Sequence, residues 1–321
     1  MTFDTAIKAF GILSISALVA CGGGDGSNPV TGGDEVTAAD PTDPTDPADP
    51  AETVNGLPAE LANNLNAVNY DPANETLTLE LTGFDAPGEP AVYVRDSSID
   101  SAVAGYQAYT RQDDPTDRFF LAIGGTSAGG EVSAIAISDG GQFNRFFGGG
   151  FYEQDGTFAG RESGLVSYAG NYAATTNLNA LGTNLATPPA STPAEILPRE
   201  PATIEGRIFL NVSFQENSIN GQIIEREFTE YPAITLEDIR LVEGVIADDG
   251  TYLGSTEIDV NSSNGAFGGT FGGEGGTAIA GVTNLTDYTD DIENEEEFGV
   301  FVLERCGTAA STSDLCDGVN P

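Results

Sequence analysis

The 321-residue sequence contains no histidine, no tryptophan, one methionine, three cysteines and a single lysine, Lys8. Without histidine there is no Ser–His or Cys–His pair for nucleophilic catalysis, and no mixed His/Cys ligand set for zinc. Beyond residue 20 there is no lysine for a Schiff base and no polybasic cluster, so nucleic acid and anionic lipid head groups are poor electrostatic partners. Carboxylate-pair glycoside chemistry is the enzymatic route this composition leaves, and no spacing of acids selects it. The chain is therefore read as a non-enzyme.

A long apolar run is also missing. The longest near the N-terminus, Ala9 to Ala20, follows Lys8, is broken by Gly11, Ser14 and Ser16, and falls short of the roughly 20 residues a spanning helix needs. It ends in Leu18-Val19-Ala20-Cys21, with a branched apolar residue at the third position before a thiol that can accept diacylglycerol. The expectation is a lipoprotein signal peptide over residues 1–20, with Cys21 as the lipidated first residue of an exported chain held on the membrane by acyl chains. Gly22, rather than Asp, after that cysteine points to the outer membrane, at its cell-surface or periplasmic face.

What is abundant is negative charge: 50 acids against 11 bases give a formal net charge of −39. Without residues 1–20, ten bases remain, all arginine, against 49 acids. Residues 21–56 hold eight acids and no base, and the run DPTDPTDPADP from Asp40 places proline at every third position. Repelling carboxylates and fixed proline φ angles make this an extended acidic tether. The acidity of the remainder fits either attraction of a basic partner or a solvated surface suited to saline surroundings.

After the tether, β-branched and aromatic runs punctuated by Gly, Asn-Gly and Asp-Gly predict a nearly all-β chain. A β-rich, handle-like domain is expected over 57–162, with strands Thr76 to Leu81, Ala91 to Val94, Tyr106 to Thr110, Phe119 to Ile123, Glu131 to Ile137 and Arg145 to Tyr152, and one brief helix from Leu57 to Asn66. A second domain, 163–305, offers eight strands: Leu165 to Tyr172, Ile204 to Phe214, Ser218 to Phe228, Thr235 to Val245, Thr251 to Val260, Gly265 to Phe271, Thr277 to Asn284 and Phe298 to Arg305. Alternation of Ile204, Ile208, Leu210, Val212 and Phe214 with Glu205, Arg207 and Asn211 gives each strand one wet face, and eight antiparallel strands can close into a barrel without edges. Charges such as Glu225, Arg226, Glu227, Glu257 and Asp259 speak for a soluble barrel over a membrane-spanning one, whose lipid-facing band must be apolar.

Three stretches carry a family resemblance: SGLVSYAGNYAA from Ser163, GRIFLNVSFQENSINGQII from Gly206 and GAFGGTFGGEGGTAIAGV from Gly265. They resemble the barrel strands of surface lipoproteins of the transferrin-binding protein B and factor H binding protein type, which pair a β-rich handle with an eight-stranded barrel. The last stretch departs from the family's Phe-Tyr-Gly-Pro pattern by lacking the proline. The resemblance implies capture of host proteins through handle and barrel-cap loops, and no binding residue transfers by motif. Some secreted relatives of this plan are haemophores; here only tyrosine could ligate haem iron. The glycines also have a purely structural reading, as sites of tight bends and close backbone approach.

Cys306 and Cys316, an even pair in an exported chain, are expected to form a disulfide stapling a tail of residues 306–321. The acidic run containing Asp290, Asp291, Glu293 and Glu295 offers oxygens for Ca²⁺, or is a solvated hairpin tip. Arg145, Phe146 and Phe147, beside Phe143, Phe151, Tyr152 and Phe158, are candidates for a partner-binding patch if exposed, and otherwise for handle core. The functional expectation is a lipid-anchored cell-envelope protein that captures a protein or small ligand through loops. The competing reading is an acidic coat lipoprotein with no specific ligand.

Overall fold

A computed structural model describes residues 53–319 except 55, 72, 84–87, 159–163, 290, 291 and 293, so the signal peptide, Cys21 and the tether lie outside the described residues. A two-stranded ladder, β1 (Thr53–Val54) with β2 (Leu57–Pro58), leads into a single helical turn, α1 (Ala59–Ala62). The helix expected from Leu57 to Asn66 is thus reduced to four residues. Asn63 takes a left-handed φ of 45° and ends it. Leu57, Leu61 and Leu65 do share the burial that their i, i+4, i+8 spacing suggests, but Leu65 already belongs to a strand.

Seven antiparallel strands follow in a simple meander: β3 (Leu65–Asp71), β4 (Thr76–Leu81), β5 (Ala91–Arg95), β6 (Gln107–Arg111), β7 (Phe120–Thr126), β8 (Val132–Asp139) and β9 (Gly148–Gln154). Tyr93, Leu77, Leu79, Tyr109 and Ile137 fill the inside of this curled handle sheet. Eight more strands close into an antiparallel barrel: β10 (Leu165–Asn179), β11 (Pro201–Ser213), β12 (Ser218–Phe228), β13 (Ile239–Ile246), β14 (Thr251–Glu257), β15 (Ser263–Gly272), β16 (Ala278–Thr286) and β17 (Glu296–Glu304). Closure is made by β10 against β17, with Ala173 opposite Val300 and Thr176 opposite Glu297. The fold is all-β apart from short turns of helix, and no helix among the described residues is long and apolar enough to cross a membrane.

The barrel interior is filled by the alternating residues read from the sequence, Ile204, Ile208, Leu210 and Val212 among them. One end is plugged by rings: Phe271 lies 5.6 Å from Phe158, 5.2 Å from Phe214, 5.8 Å from Tyr168 and 5.3 Å from Tyr252 between centroids. The opposite end is polar. Arg226 and Glu297, both fully buried, form an ion pair at 2.5 Å; Tyr172 donates to Glu297 Oε1 at 2.7 Å, and the Arg226 guanidinium lies over the Tyr288 ring. Burial holds the Tyr172 hydroxyl well above its ordinary pKa of 10.0, so it stays a donor. Gly299 is required beside it, because a Cβ there would collide with the Tyr172 ring and hydroxyl.

The handle sheet lies against one side of the barrel. Val132, Ala134, Ala136 and Tyr152 pack on Ala266, Ala280, Val282, Phe298 and Val300. Phe298 and Val282 come so close to Gly148 and Gly150 of β9 that neither position has room for a side chain. In the same seam the buried hydroxyls of Ser138 and Thr175 bond at 2.6 Å. At the C-terminus Cys306 and Cys316 are bridged, with Cα atoms 5.2 Å apart, and Arg207 of β11 pairs with Asp314 of the same tail.

Candidate functional site

Because side chains fill the barrel, a candidate site has to be sought on its outside, and one well-ordered surface lies where the handle meets the barrel's polar end. There the β8–β9 connection forms a tight knuckle, Gln142-Phe143-Asn144-Arg145. Gln142 and Arg145 exchange backbone hydrogen bonds of 3.0 Å in both directions, while Phe143 and Asn144 have φ of 56° and 55°. Two successive positive φ angles define a type I′ turn. Asn suits the second position. A bulky ring at the first is strained and persists only if its surroundings hold it.

The hold comes from Asp139 and Arg118. Asp139, 1% exposed, ends β8 and accepts the N–H groups of Gly141 at 3.2 Å and Phe147 at 3.1 Å, and it forms an ion pair with Arg118. Burial pushes its pKa up, against the opposing pull of Arg118 and these donors. Arg118 also donates to the carbonyls of Gln142 at 2.7 Å and Arg145 at 3.0 Å, closing the knuckle from beneath. The Gln142 amide then donates to Thr116 O at 2.8 Å and to Ile196 O at 2.7 Å, tying the turn to the β6–β7 and β10–β11 connections. A further link runs from Ala186 N–H to Gln112 Oε1 at 2.8 Å. Three chain segments distant in sequence are thus fixed around one turn.

The result is a raised aromatic between two hollows of about 550 and 660 Å³. Phe143 is 58% exposed at the crest and Ile196 is 37% exposed beside it. Of the ten arginines that follow Lys8, Arg111, Arg118, Arg145 and Arg199 line these hollows. Arg111 is engaged by Asp113 and Arg118 by Asp139, whereas Arg145 and Arg199 are exposed and make no ion pair among the described residues. Asp113, Asp117, Glu195 and Glu296 line the same hollows, so the rim sets an exposed ring among four arginines and four acids.

Of the residues singled out from sequence, Arg145 stands on this rim. Phe146 and Phe147 turn inward instead. Phe146 stacks on Phe298 at 6.0 Å, and Phe147 lies under the Arg118 guanidinium at 4.8 Å. The exposed ring is their neighbour Phe143; Arg118, Ile196 and Arg199 join it only through tertiary structure, so no local pattern announced them. Of the proposed cation ligands, Asp290, Asp291 and Glu293 lie outside the described residues. Glu295 is buried, with its Oε1 taking the N–H and hydroxyl of Thr289 at 2.8 and 3.1 Å. The large tyrosines of the barrel, Tyr168, Tyr172, Tyr252 and Tyr288, spend their hydroxyls on internal hydrogen bonds.

No protein-family model matches the sequence, and no curated protein matches it. Among solved structures the chain is similar to transferrin-binding protein B from Haemophilus parasuis. A double mutant is 14% identical over 75% of this chain and 44% of that one, with a TM-score of 0.37; a single mutant is 12% identical over 74% and 52%, with a TM-score of 0.33. The matched region spans about half the length of those proteins.

Proposed function

We propose that this chain is a lipid-anchored binding protein of the cell envelope that captures a protein partner on the rim around Phe143. The observation that carries the reading is the exposed, strained Phe143 flanked by Arg145 and Arg199, which make no ion pair among the described residues, in a protein of net charge −39. A left-handed backbone at a non-glycine residue costs about 1–2 kcal/mol, and here it is retained at a ring that is 58% exposed, which fits selection for a contact outside the fold. A rigid aromatic loses little conformational freedom on docking, and arginine beside it supplies directional donors to backbone or carboxylate groups of the partner. The acidic tether from Cys21 would carry this rim away from the lipid surface. No reaction is assigned to the chain.

The test is capture on the immobilised full-length protein at low and high salt, with identification by mass spectrometry, repeated with the Phe143→Ser/Arg145→Ser variant. A saturable partner retained by the parent and lost by the variant supports the reading. An empty capture at both salts overturns it in favour of an acidic coat without a specific ligand.

A further inference from the structure

A second feature of the handle is independent of that rim. The seven strands β3 to β9 curl until the first and last approach each other, and Asn64 N–H bonds to Gly148 O at 3.0 Å while Gly148 N–H returns to Asn64 Oδ1 at 3.3 Å. Beyond this point the ring does not close. β3 pairs only with β4 and β9 only with β8, and no further hydrogen bond joins their facing edges among the described residues. The parity of the meander explains why. Six antiparallel steps separate β3 from β9, so the two run parallel, and an odd number of strands cannot complete an antiparallel ring. The neighbouring barrel, with eight strands, does close antiparallel.

The opening leads into a cavity of about 660 Å³. Val68 and Tyr70 line it from β3, Tyr109 from β6, Ile135 from β8 and Glu153 from β9. Tyr70 is 41% exposed at the mouth, edge-on to Tyr109 at 6.2 Å. On the β9 side α1 covers the upper end, where Ala62 meets Gly149, which leaves Phe151 to Gln154 as open edge. The charged side chains lining the mouth are Glu153 and Asp155.

We propose that the handle binds an extended, basic segment of a partner polypeptide as an eighth strand between β3 and β9. Such a strand runs antiparallel to both neighbours, meets two unpaired backbone edges at once and turns every second side chain into the cavity, which is apolar at Val68, Leu77 and Ile135 and acidic at Glu153 and Asp155. About five residues span the open edge at roughly 3.3 Å each. Glu153 lies on the β9 face that carries Phe151, so lysine or arginine at the inward position nearest the mouth faces Glu153 and Asp155, with apolar residues at the inward positions beside Val68 and Ile135. A second copy of the chain does not fit this role, because its own strands are already paired and could meet one edge only.

The experiment uses the full chain and a nine-residue synthetic peptide with valine at the inward positions, lysine at the inward position nearest the mouth and threonine between them, alongside the same peptide N-methylated at alternate amides. The expected result is saturable binding, protection from hydrogen exchange at residues 66–71 and 151–154, and affinity at least about tenfold weaker for the N-methylated peptide, which keeps the charge but not the donors. Glu153→Lys should weaken the parent peptide, and Phe143→Ser should leave it unchanged, which separates this site from the rim. Equal binding of both peptides, no protection at the two edges, or protection that instead follows self-association of the protein would overturn the proposal.

Discussion

The barrel and the handle are both antiparallel meanders; the handle strands are the shorter, and the two differ in strand count by one. With eight strands the barrel pairs every backbone edge and can devote its interior to packing. Rings centred on Phe271 seal one end, and the Arg226–Glu297 pair with Tyr172 seals the other. With seven the handle keeps two edges, a smaller core and a mouth at Tyr70. Its outer face has the barrel to lean on, so it tolerates the opening. The larger closed core thus lies in the barrel, while the strained turn and the unpaired edges on which both proposals rest lie in the handle.

That division is broken most severely at the aromatic plug. Phe271→Ala removes a ring touching Phe158, Phe214, Tyr168 and Tyr252 and should cost about 4 kcal/mol in denaturant unfolding. Tyr70→Ala at the handle mouth should cost under about 1 kcal/mol, since its ring is already partly solvated. Equal costs at the two positions would erase the distinction between the halves. At the polar end, Arg226→Met leaves Glu297 buried without its cation and should cost about 3 kcal/mol. The double change Arg226→Met/Glu297→Leu should recover most of that loss, since Tyr172 keeps its 2.8 Å partner Thr283. If the double variant is no better than the single one, the ion pair is stabilising in its own right rather than a desolvated pair that tolerates joint replacement.

Reducing the Cys306–Cys316 bridge opens a ten-residue separation and should lower stability by about 2–3 kcal/mol, read as a shift in the denaturant midpoint at unchanged slope. A smaller effect distinguishes the carboxyls. Burial raises Glu230 and Glu296 above their ordinary 4.5, so the folded state holds their protons more tightly and stability increases as pH falls through the window above that value. Asp100, lowered below 3.8 first by its hydrogen bond to Arg95, acts oppositely: its contribution is present above 3.8 and is lost as pH falls through its lower folded value. The melting temperature should therefore rise as pH falls from neutrality toward 4.5 and fall again below 3.8, with the descent reduced in Asp100→Asn. A monotonic decline from neutrality would contradict this ordering.

The barrel was legible because its strands are rich in β-branched and aromatic residues between turn signals, and β11 alternates over its middle. Ile204 to Phe214 predicts all but the first three residues of β11, and Gly269 and Gly281 stand where the Tyr252 hydroxyl comes close, as Gly299 does for Tyr172. The handle was less so. Leu57, Leu61 and Leu65 imitate a helical face, which hid β3 and gave six strands instead of seven; the missed strand is the one that makes the count odd and leaves the sheet open. At the rim, Gln-Phe-Asn-Arg shows the asparagine a type I′ turn favours, but a phenylalanine before it argues against that turn. Local preference pointed elsewhere because Asp139, Arg118 and Gln142 impose the conformation from a distance.

Phe143 offers the finest test of the comparison, because there the handle is expected to gain stability by losing function. Phe143→Asn places a residue that accepts positive φ at a position where the ring is 58% exposed, so little buried contact is lost and backbone strain is relieved. The expected gain is about 0.5–1 kcal/mol, visible as a small rise in melting temperature. Partner capture should fall in the same variant, and Arg145→Ser should weaken capture while leaving the melting temperature unchanged, since Arg145 offers its carbonyl, not its side chain, to Arg118. A loss of stability in Phe143→Asn would mean that the ring serves the fold, and the unequal division between a stable barrel and a binding handle would have to be redrawn at this turn.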